Sequence, residues 1–311
     1  MNKFLKYSIR EPLPDERKIS YSQFSMYSSC PKHWELAYAK GLRTFSQSIH
    51  TIFGTAFHET LQNYLTVMFN ESVKKADEID INKYLKDQMF TLYKEAVDKM
   101  GNHFSNKFEL GEFYEDGVAI LDWFKKKRGQ YFSSRNEELI GIEVPIYHPV
   151  NETNDKVMML GYLDIVIRDK RNNKITIIDI KTSTMGWNKY QKADKTKTSQ
   201  LVLYKKYFAE QYGYDVENID VKYMIVKRKL IEGAMFPQKR ITDFAPASGK
   251  PTRNKLATEI KGFVDSAFHK DGTFNLDRKY PAIAGKNNKH CKWCEFRDKP
   301  DLCPRMDRIK V

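Results

Sequence analysis

The stretch "GYLDIVIRDKRNNKITIIDIKTS", residues 161 to 183, holds two apolar, β-branched runs separated by the turn-like "KRNN". Runs of this length and composition on either side of a polar break predict two strands joined by a tight turn. Side chains of a strand alternate between its faces, so Ile175, Ile177, Asp179 and Lys181 share one face while Ile178 and Ile180 take the other. Asp179 and Lys181 are therefore neighbours. In the first run Asp164 stands amid Leu163, Ile165 and Ile167, surroundings too apolar to hold an unpaired carboxylate cheaply. If the two strands pair through the turn at 169–173, Asp164 and Asp179 converge. Two carboxylates brought together in a partly buried place repel, and a divalent cation relieves the repulsion. Oxygen ligands suit Mg2+ or Mn2+, which can hold a scissile phosphate and lower the pKa of a bound water. Lys181 would then orient the attacking oxygen or neutralise charge growing on the phosphate. Taken alone, D-x-K more often describes an edge-strand aspartate with a solvated lysine, and Asp164 an ion-pair partner beside a turn.

The remaining chain supplies a setting for such a pair. At 311 residues, 41% hydrophobic and 13% aromatic, it can bury a substantial core. Residues 20–134 read as mostly helical, in segments that include "GTAFHETLQNYLTVMF" and "INKYLKDQMFTLYKEAVDKM". Residues 138–230 carry the strands: "LIGIEVPIYHPV", the two runs above, and "DVKYMIVKRK" after a helix at about 194–211. A helix near 252–270 precedes a coil-rich tail that ends the 252–311 part. With no repeat and no Gly/Ser/Pro-rich linker, residues 1–311 read as a single domain, an α/β fold with a central mixed sheet flanked by helices. No apolar run is long enough for a membrane span, and "MNKFLKYSIREPLPDERK" lacks the apolar stretch of a secretory signal. A cytosolic protein without a membrane partner is expected.

Fifty-three Lys and Arg against forty Asp and Glu leave a net charge of +13, which favours polyanions, nucleic acid first among them. The same surplus fits a merely soluble basic surface. "KKKR" at 125–128, "KADKTK" at 192–197 and "VKRK" at 226–229 could line a strand's path, though each singly also describes a solvated face. There is no G-x-x-x-x-G-K-[ST], so any motor, such as a helicase or recombination protein, would be a separate partner.

Four cysteines in a reducing compartment argue for a metal or cluster rather than two disulfides. Cys291 and Cys294 form C-x2-C and Cys303 follows in "HCKWCEFRDKPDLCP", which leaves a four-thiolate site one ligand short. Cys30, in "CPKHWELAY", is the thiol that remains, and Pro31 puts it at the start of a helix where free N–H groups favour thiolate. The two ends of the chain should therefore meet. Spacing does not distinguish a 4Fe-4S cluster from Zn2+.

"GYLDIVI", then "DIKTS", then "QLVLY", with "GTAFHETLQ" upstream, together resemble the RecB-type branch of the PD-(D/E)XK nuclease superfamily, which carries a histidine motif, G-x-x-D, D/E-x-K and Q-x-x-x-Y in that order. The similarity runs from Tyr21 to Cys303. It implies a restriction-endonuclease-like core in which His58, Asp164, Asp179 and the main-chain carbonyl of Ile180 ligate Mg2+ or Mn2+. Lys181 would be the catalytic lysine, with Gln200 and Tyr204 in active-site support or DNA binding. Leu163 replaces the proline of the superfamily name. One cysteine before the core and three after it, together with "YSQFSMYSSCPKHWELAY", resemble the 4Fe-4S staple of AddB-type helicase-nucleases and CRISPR-adaptation exonucleases. That implies a cluster on Cys30, Cys291, Cys294 and Cys303 joining the N- and C-terminal segments, with Zn2+ as the alternative. The activity implied is metal-dependent DNA exonuclease action in recombination, repair or end processing. A structure-specific endonuclease and a catalytically inactive, cluster-stabilised nucleic-acid-binding module are the alternatives.

Overall fold

A computed structural model describes residues 8–310. Strand β1 (Arg17–Ile19) leads into α1 (Tyr21–Ser29), whose first turn is capped by the Ser20 side chain accepting from the Gln23 amide. Extended Cys30 ends that helix, and Pro31 opens α2 (Pro31–Trp34), where its missing N–H costs nothing. The chain then widens into a π-helical turn over Glu35–Ala39. Four further helices follow: α3 (Ile49–Asn70), closed at its start by a Ser48–Thr51 capping box, α4 (Val73–Asp77), α5 (Ile81–Met100) and α6 (Lys107–Lys127).

Strands β2 (Glu137–Asn151), β3 (Asn154–Asp169) and β4 (Ile175–Ser183) form an antiparallel meander. Helices α7 (Lys189–Ala193) and α8 (Lys195–Tyr212) then cross to β5 (Ile219–Lys227), parallel to β4, and β6 (Ile241–Phe244) closes that edge. The long β3 is shared: β2 pairs along one side, while β1, parallel, and β4, antiparallel, take successive parts of the other. The chain ends with α9 (Lys250–Ala267) and a two-stranded sheet of β7 (Ala282–Ile283) and β8 (Arg308–Ile309). The fold is α/β with a mixed central sheet.

Each sheet face carries its own core. Ile175 and Ile177 pack with α1, α8 and α9, whereas Ile178 and Ile180 pack with α3, α5 and α6, which is the division that strand alternation predicts for β4. The expected helices and longer strands are present, while the three-residue β1 and four-residue β6 carry too little pattern to read from sequence. The tail expected as coil contains the β7–β8 pair. No described helix is long and apolar enough to cross a membrane.

The two ends of the chain meet as expected, and aromatic packing accounts for much of it. Trp34 is fully buried, with Phe263, Phe268, Phe274 and Tyr280 at centroid distances of 5.3, 5.8, 5.8 and 5.5 Å. Such pairs contribute about 0.5–1.5 kcal/mol each beyond their buried area. The Lys32 amide also donates to the Pro281 carbonyl at 3.1 Å.

Candidate active site

The ladder between β3 and β4 runs from Arg168↔Ile175 to Ile165↔Ile178 and stops. The next pair would be Asp164 opposite Asp179, so the strands part at the two aspartates. In place of a ladder bond, the Asp164 carboxylate Oδ2 accepts from the Ile180 amide at 2.7 Å. The turn that makes this possible has Asn173 in the left-handed region, φ +58, a conformation asparagine tolerates better than most residues.

Helix α3 completes the site. An added Cβ on Gly54 would lie 3.2 Å from the Thr182 hydroxyl, so the bare glycine lets α3 cross close over β4. One turn on, His58 Nδ1 stands 3.5 Å from Asp164 Oδ2, and the ring hydrogen-bonds the main chain of Ile180. His58, Asp164, Asp179 and Ile180 thus gather at one place. Lys181 Nζ lies 2.8 Å from Asp179 Oδ2 and donates to Gln200 Oε1 at 3.2 Å; Gln200 Nε2 in turn donates to the Tyr204 hydroxyl at 3.2 Å. The resemblance implies active-site support or DNA binding for Gln200 and Tyr204. In the fold they reach the site through Lys181. Tyr204 is held by the glycine of "GYLD": a Cβ on Gly161 would meet the tyrosine ring at 2.7 to 2.9 Å.

Burial and mutual repulsion shape the electrostatics. Burial, then the Asp179 charge, raises Asp164 well above the usual carboxylate range. Burial also raises Asp179, and the Lys181 ammonium partly offsets it. Burial alone would lower Lys181, but Asp179 and Asp164 more than compensate, so it remains an ammonium. His58 is pushed down to about 4 by burial and then by Lys181, which leaves a neutral imidazole at neutral pH, the form that ligates metals. The buried Oδ2 of Asp179 has the Lys181 ammonium 2.8 Å away as its ion-pair partner. Two buried carboxylates beside one ammonium, with a neutral imidazole and a main-chain carbonyl, are a donor set that fits a hard divalent cation.

A cleft of about 910 Å3 opens over this place, lined among others by His58, Glu59, Gln62, Glu143, Ile180 and Lys181. Gln62 and Glu143 were not singled out from sequence. Gln62 lies four residues after His58, so helical spacing alone puts both on one face of α3; Glu143 sits in an apolar strand with no such signal.

Residues 18–303 match the PD-(D/E)XK nuclease superfamily. The chain belongs to that superfamily. A solved structure similar to this chain is that of a "Putative exonuclease" from Eubacterium rectale, 11% identical, with a TM-score of 0.43 over 79% of this chain and 80% of the other. No curated protein matches the chain.

Two of the basic segments expected to line a strand's path are partly committed elsewhere. In "KKKR", Arg128 pairs with Asp77 at 2.9 Å and Lys125 approaches the same carboxylate at 3.9 Å. In "VKRK", Arg228 and Lys229 pair with Asp116 at 2.6 and 3.0 Å and with Glu112 at 3.1 and 2.8 Å. Helix α6 supplies those two acids, whose pairing could not be foreseen from the basic run itself.

Near the cysteines, Cys30 is buried, and its Sγ accepts from the Ile283 amide at 3.3 Å and from the amides of His33 and Lys32. Cys294 accepts from the Phe296 amide and lies near Cys30 and Cys291, and Cys30 lies near Cys303. The expected helix-start thiolate is not favoured: burial raises Cys30 above the ordinary thiol value, outweighing the N–H donors of a four-residue helix. Burial likewise pushes Cys294 up to about 11. Nearby, His33, Cys294 and Glu295 bring ligand atoms within 4.8 Å of one another, with His33 Nε2 2.8 Å from Glu295. That trio was not anticipated, since His33 and Glu295 lie at opposite ends of the chain.

Proposed function

We propose that this chain is a Mg2+- or Mn2+-dependent deoxyribonuclease that hydrolyses phosphodiester bonds at DNA ends. The observation that carries it is the meeting of Asp164 and Asp179 where β3 and β4 part, with Lys181 2.8 Å from Asp179. His58, Asp164, Asp179 and the Ile180 carbonyl would hold the cation. When bound, such a cation neutralises phosphate charge and acidifies a water. The chain's own part is positioning. Asp164 is pinned to the Ile180 amide, His58 is kept neutral, and the Gln200–Tyr204 pair aims the Lys181 ammonium at the cleft. From there Lys181 can orient a water against the phosphate and offset charge on its oxygens as the bond breaks. The exonuclease mode and a place in recombination or repair rest on the resemblance to the RecB-type branch. The test is Mg2+ or Mn2+ titration against end-labelled single- and double-stranded DNA. Mononucleotides or short oligonucleotides released from one end support the proposal, mid-strand cuts favour the endonuclease alternative, and intact DNA the inactive binding module.

The four cysteines we assign to a 4Fe-4S cluster that ties the tail to the N-terminal helices. The main-chain N–H groups directed at Cys30 and Cys294 support this, since iron-sulfur thiolates are stabilised by such bonds. Zn2+ remains the competing occupant. Cys30→Ala is expected to cut iron from about four atoms per chain to under about one and to expose the tail to protease. The Trp34 cage should keep the two-faced sheet folded. A colourless parent protein containing zinc would replace the cluster with the alternative, and full iron retention in the variant would remove Cys30 from the site.

A further inference from the structure

The cleft follows α3 from His50 to Thr66, about 24 Å at 1.5 Å per residue, and His58 stands midway along it. A cation, a water and one phosphate fill little of its volume of about 910 Å3, which lies within the range of small-molecule sites, about 300–1,000 Å3. Past His58 the lining changes character. Asn63 and Thr66 carry on the face of α3 that bears Glu59 and Gln62, and Tyr84 and Gln88, one turn apart, join it from α5. Tyr84 lies close enough to Glu59, the residue after His58, to feel its charge.

This half of the cleft repels a phosphate. Glu59 stands in its wall, and Glu143 and Glu95 add their charges to it. Among the described residues that line the cleft, Lys181 is the one ammonium, and Asp179 and Asp164 hold it at their own end. What the wall offers instead is carboxamides and an aromatic ring. Asn63 is half-buried and its side chain makes no hydrogen bond among the described residues, so its donor and its acceptor are both open to a ligand. Gln88, also half-buried, brings a second carboxamide, and burial keeps the Tyr84 hydroxyl neutral. Such a wall fits an uncharged, flat group with N–H donors and acceptors along its edge and a π-face above. In a nucleic acid that group is the base.

Building on the proposed nuclease reading, we propose that Asn63, Tyr84 and Gln88 form a nucleobase site, which holds the base of the nucleotide adjoining the phosphate to be cut. Tyr84 stacks on the base and the two carboxamides bond its edge. Asn63 stands about 7.5 Å beyond His58 along the helix axis, a separation that the sugar bridges between a phosphate and its base. A carboxamide presents a donor and an acceptor side by side and can turn over, so each of the four bases finds partners. The site therefore senses that a base is present rather than which one, and it sets the register in which successive phosphates reach Lys181.

The test is single-turnover digestion by the full chain of an end-labelled strand carrying one base-free nucleotide at its centre, resolved to single nucleotides. The parent is expected to slow about 5–150-fold at the phosphate flanking the gap relative to its neighbours, the share usually carried by one stacked base. Tyr84→Leu should take every intact step more slowly by a similar factor while its pause at the gap disappears, since ring and base act as one contact. Tyr84→Phe keeps the ring and should keep both rate and pause. A merely structural Tyr84 would slow every step and leave the pause in place. Should Tyr84→Leu fail to fold, Asn63→Ala, at a half-buried position on the helix surface, is expected to shorten the pause in the same way, and an unchanged pause there counts against the site. No pause in the parent, or an undiminished one in Tyr84→Leu, overturns the base site and leaves the nuclease reading standing. A parent that cuts no DNA defeats that reading, and the base site with it.

Discussion

Lys181→Ala is expected to digest end-labelled DNA about 10²–10³-fold more slowly than the parent at saturating Mg2+, the loss seen when one preorganised electrostatic donor is removed from an active site. Its affinity for Mn2+ should hold or tighten. The ammonium lies 2.8 Å from Asp179 and offsets the repulsion between Asp179 and Asp164, so its removal leaves that repulsion for the cation to relieve. The opposite pattern is expected for Asp179→Asn, which loses ion and activity together. Equal rates for Lys181→Ala and parent would take Lys181 out of catalysis.

Gly161→Ala should show that two sequence motifs form one mechanical unit. The new methyl group would stand 2.7 to 2.9 Å from the Tyr204 ring, closer than atoms pack, so the ring must move. Tyr204 accepts from Gln200 and Gln200 accepts from Lys181, so displacement of the ring frees the lysine. Overpacking of a well-filled place costs about 1–3 kcal/mol, readable in denaturant melts. A misplacement near 1 Å in the reacting groups costs about 10²-fold in kcat. Adding Tyr204→Ala to Gly161→Ala should restore much of the lost stability while leaving kcat low, a non-additive pair. Full rate and stability in Gly161→Ala would break the proposed link.

The parts of the site that sequence reveals are those set by a short period. Alternation in a strand places Asp179 beside Lys181 and separates Ile177 from Ile178, and a plain antiparallel turn brings Asp164 across. Helical spacing links Gln200 with Tyr204 and Gly54 with His58. Glu143 escapes because its place depends on a break in that period. "LIGIEVP" reads as an uninterrupted apolar strand, and nothing in it announces a residue at φ +50 where the faces exchange. The fate of "VKRK" escapes for a different reason: Arg228 and Lys229 look free to meet a polyanion until α6 brings Glu112 and Asp116 against them. At Cys30 the local pattern predicts the helix start, and burial in the fold opposes the thiolate that its N–H groups favour. A fully local argument sees the N–H groups but not the burial that raises the thiol.

The central claim concerns where a cation sits, and an anomalous diffraction map from crystals of the parent soaked in Mn2+ addresses it directly. A peak within bonding distance of Asp164, Asp179, His58 and the Ile180 carbonyl is the predicted result. Manganese bound elsewhere, with the two carboxylates turned apart and Lys181 Nζ paired to neither, would contradict it.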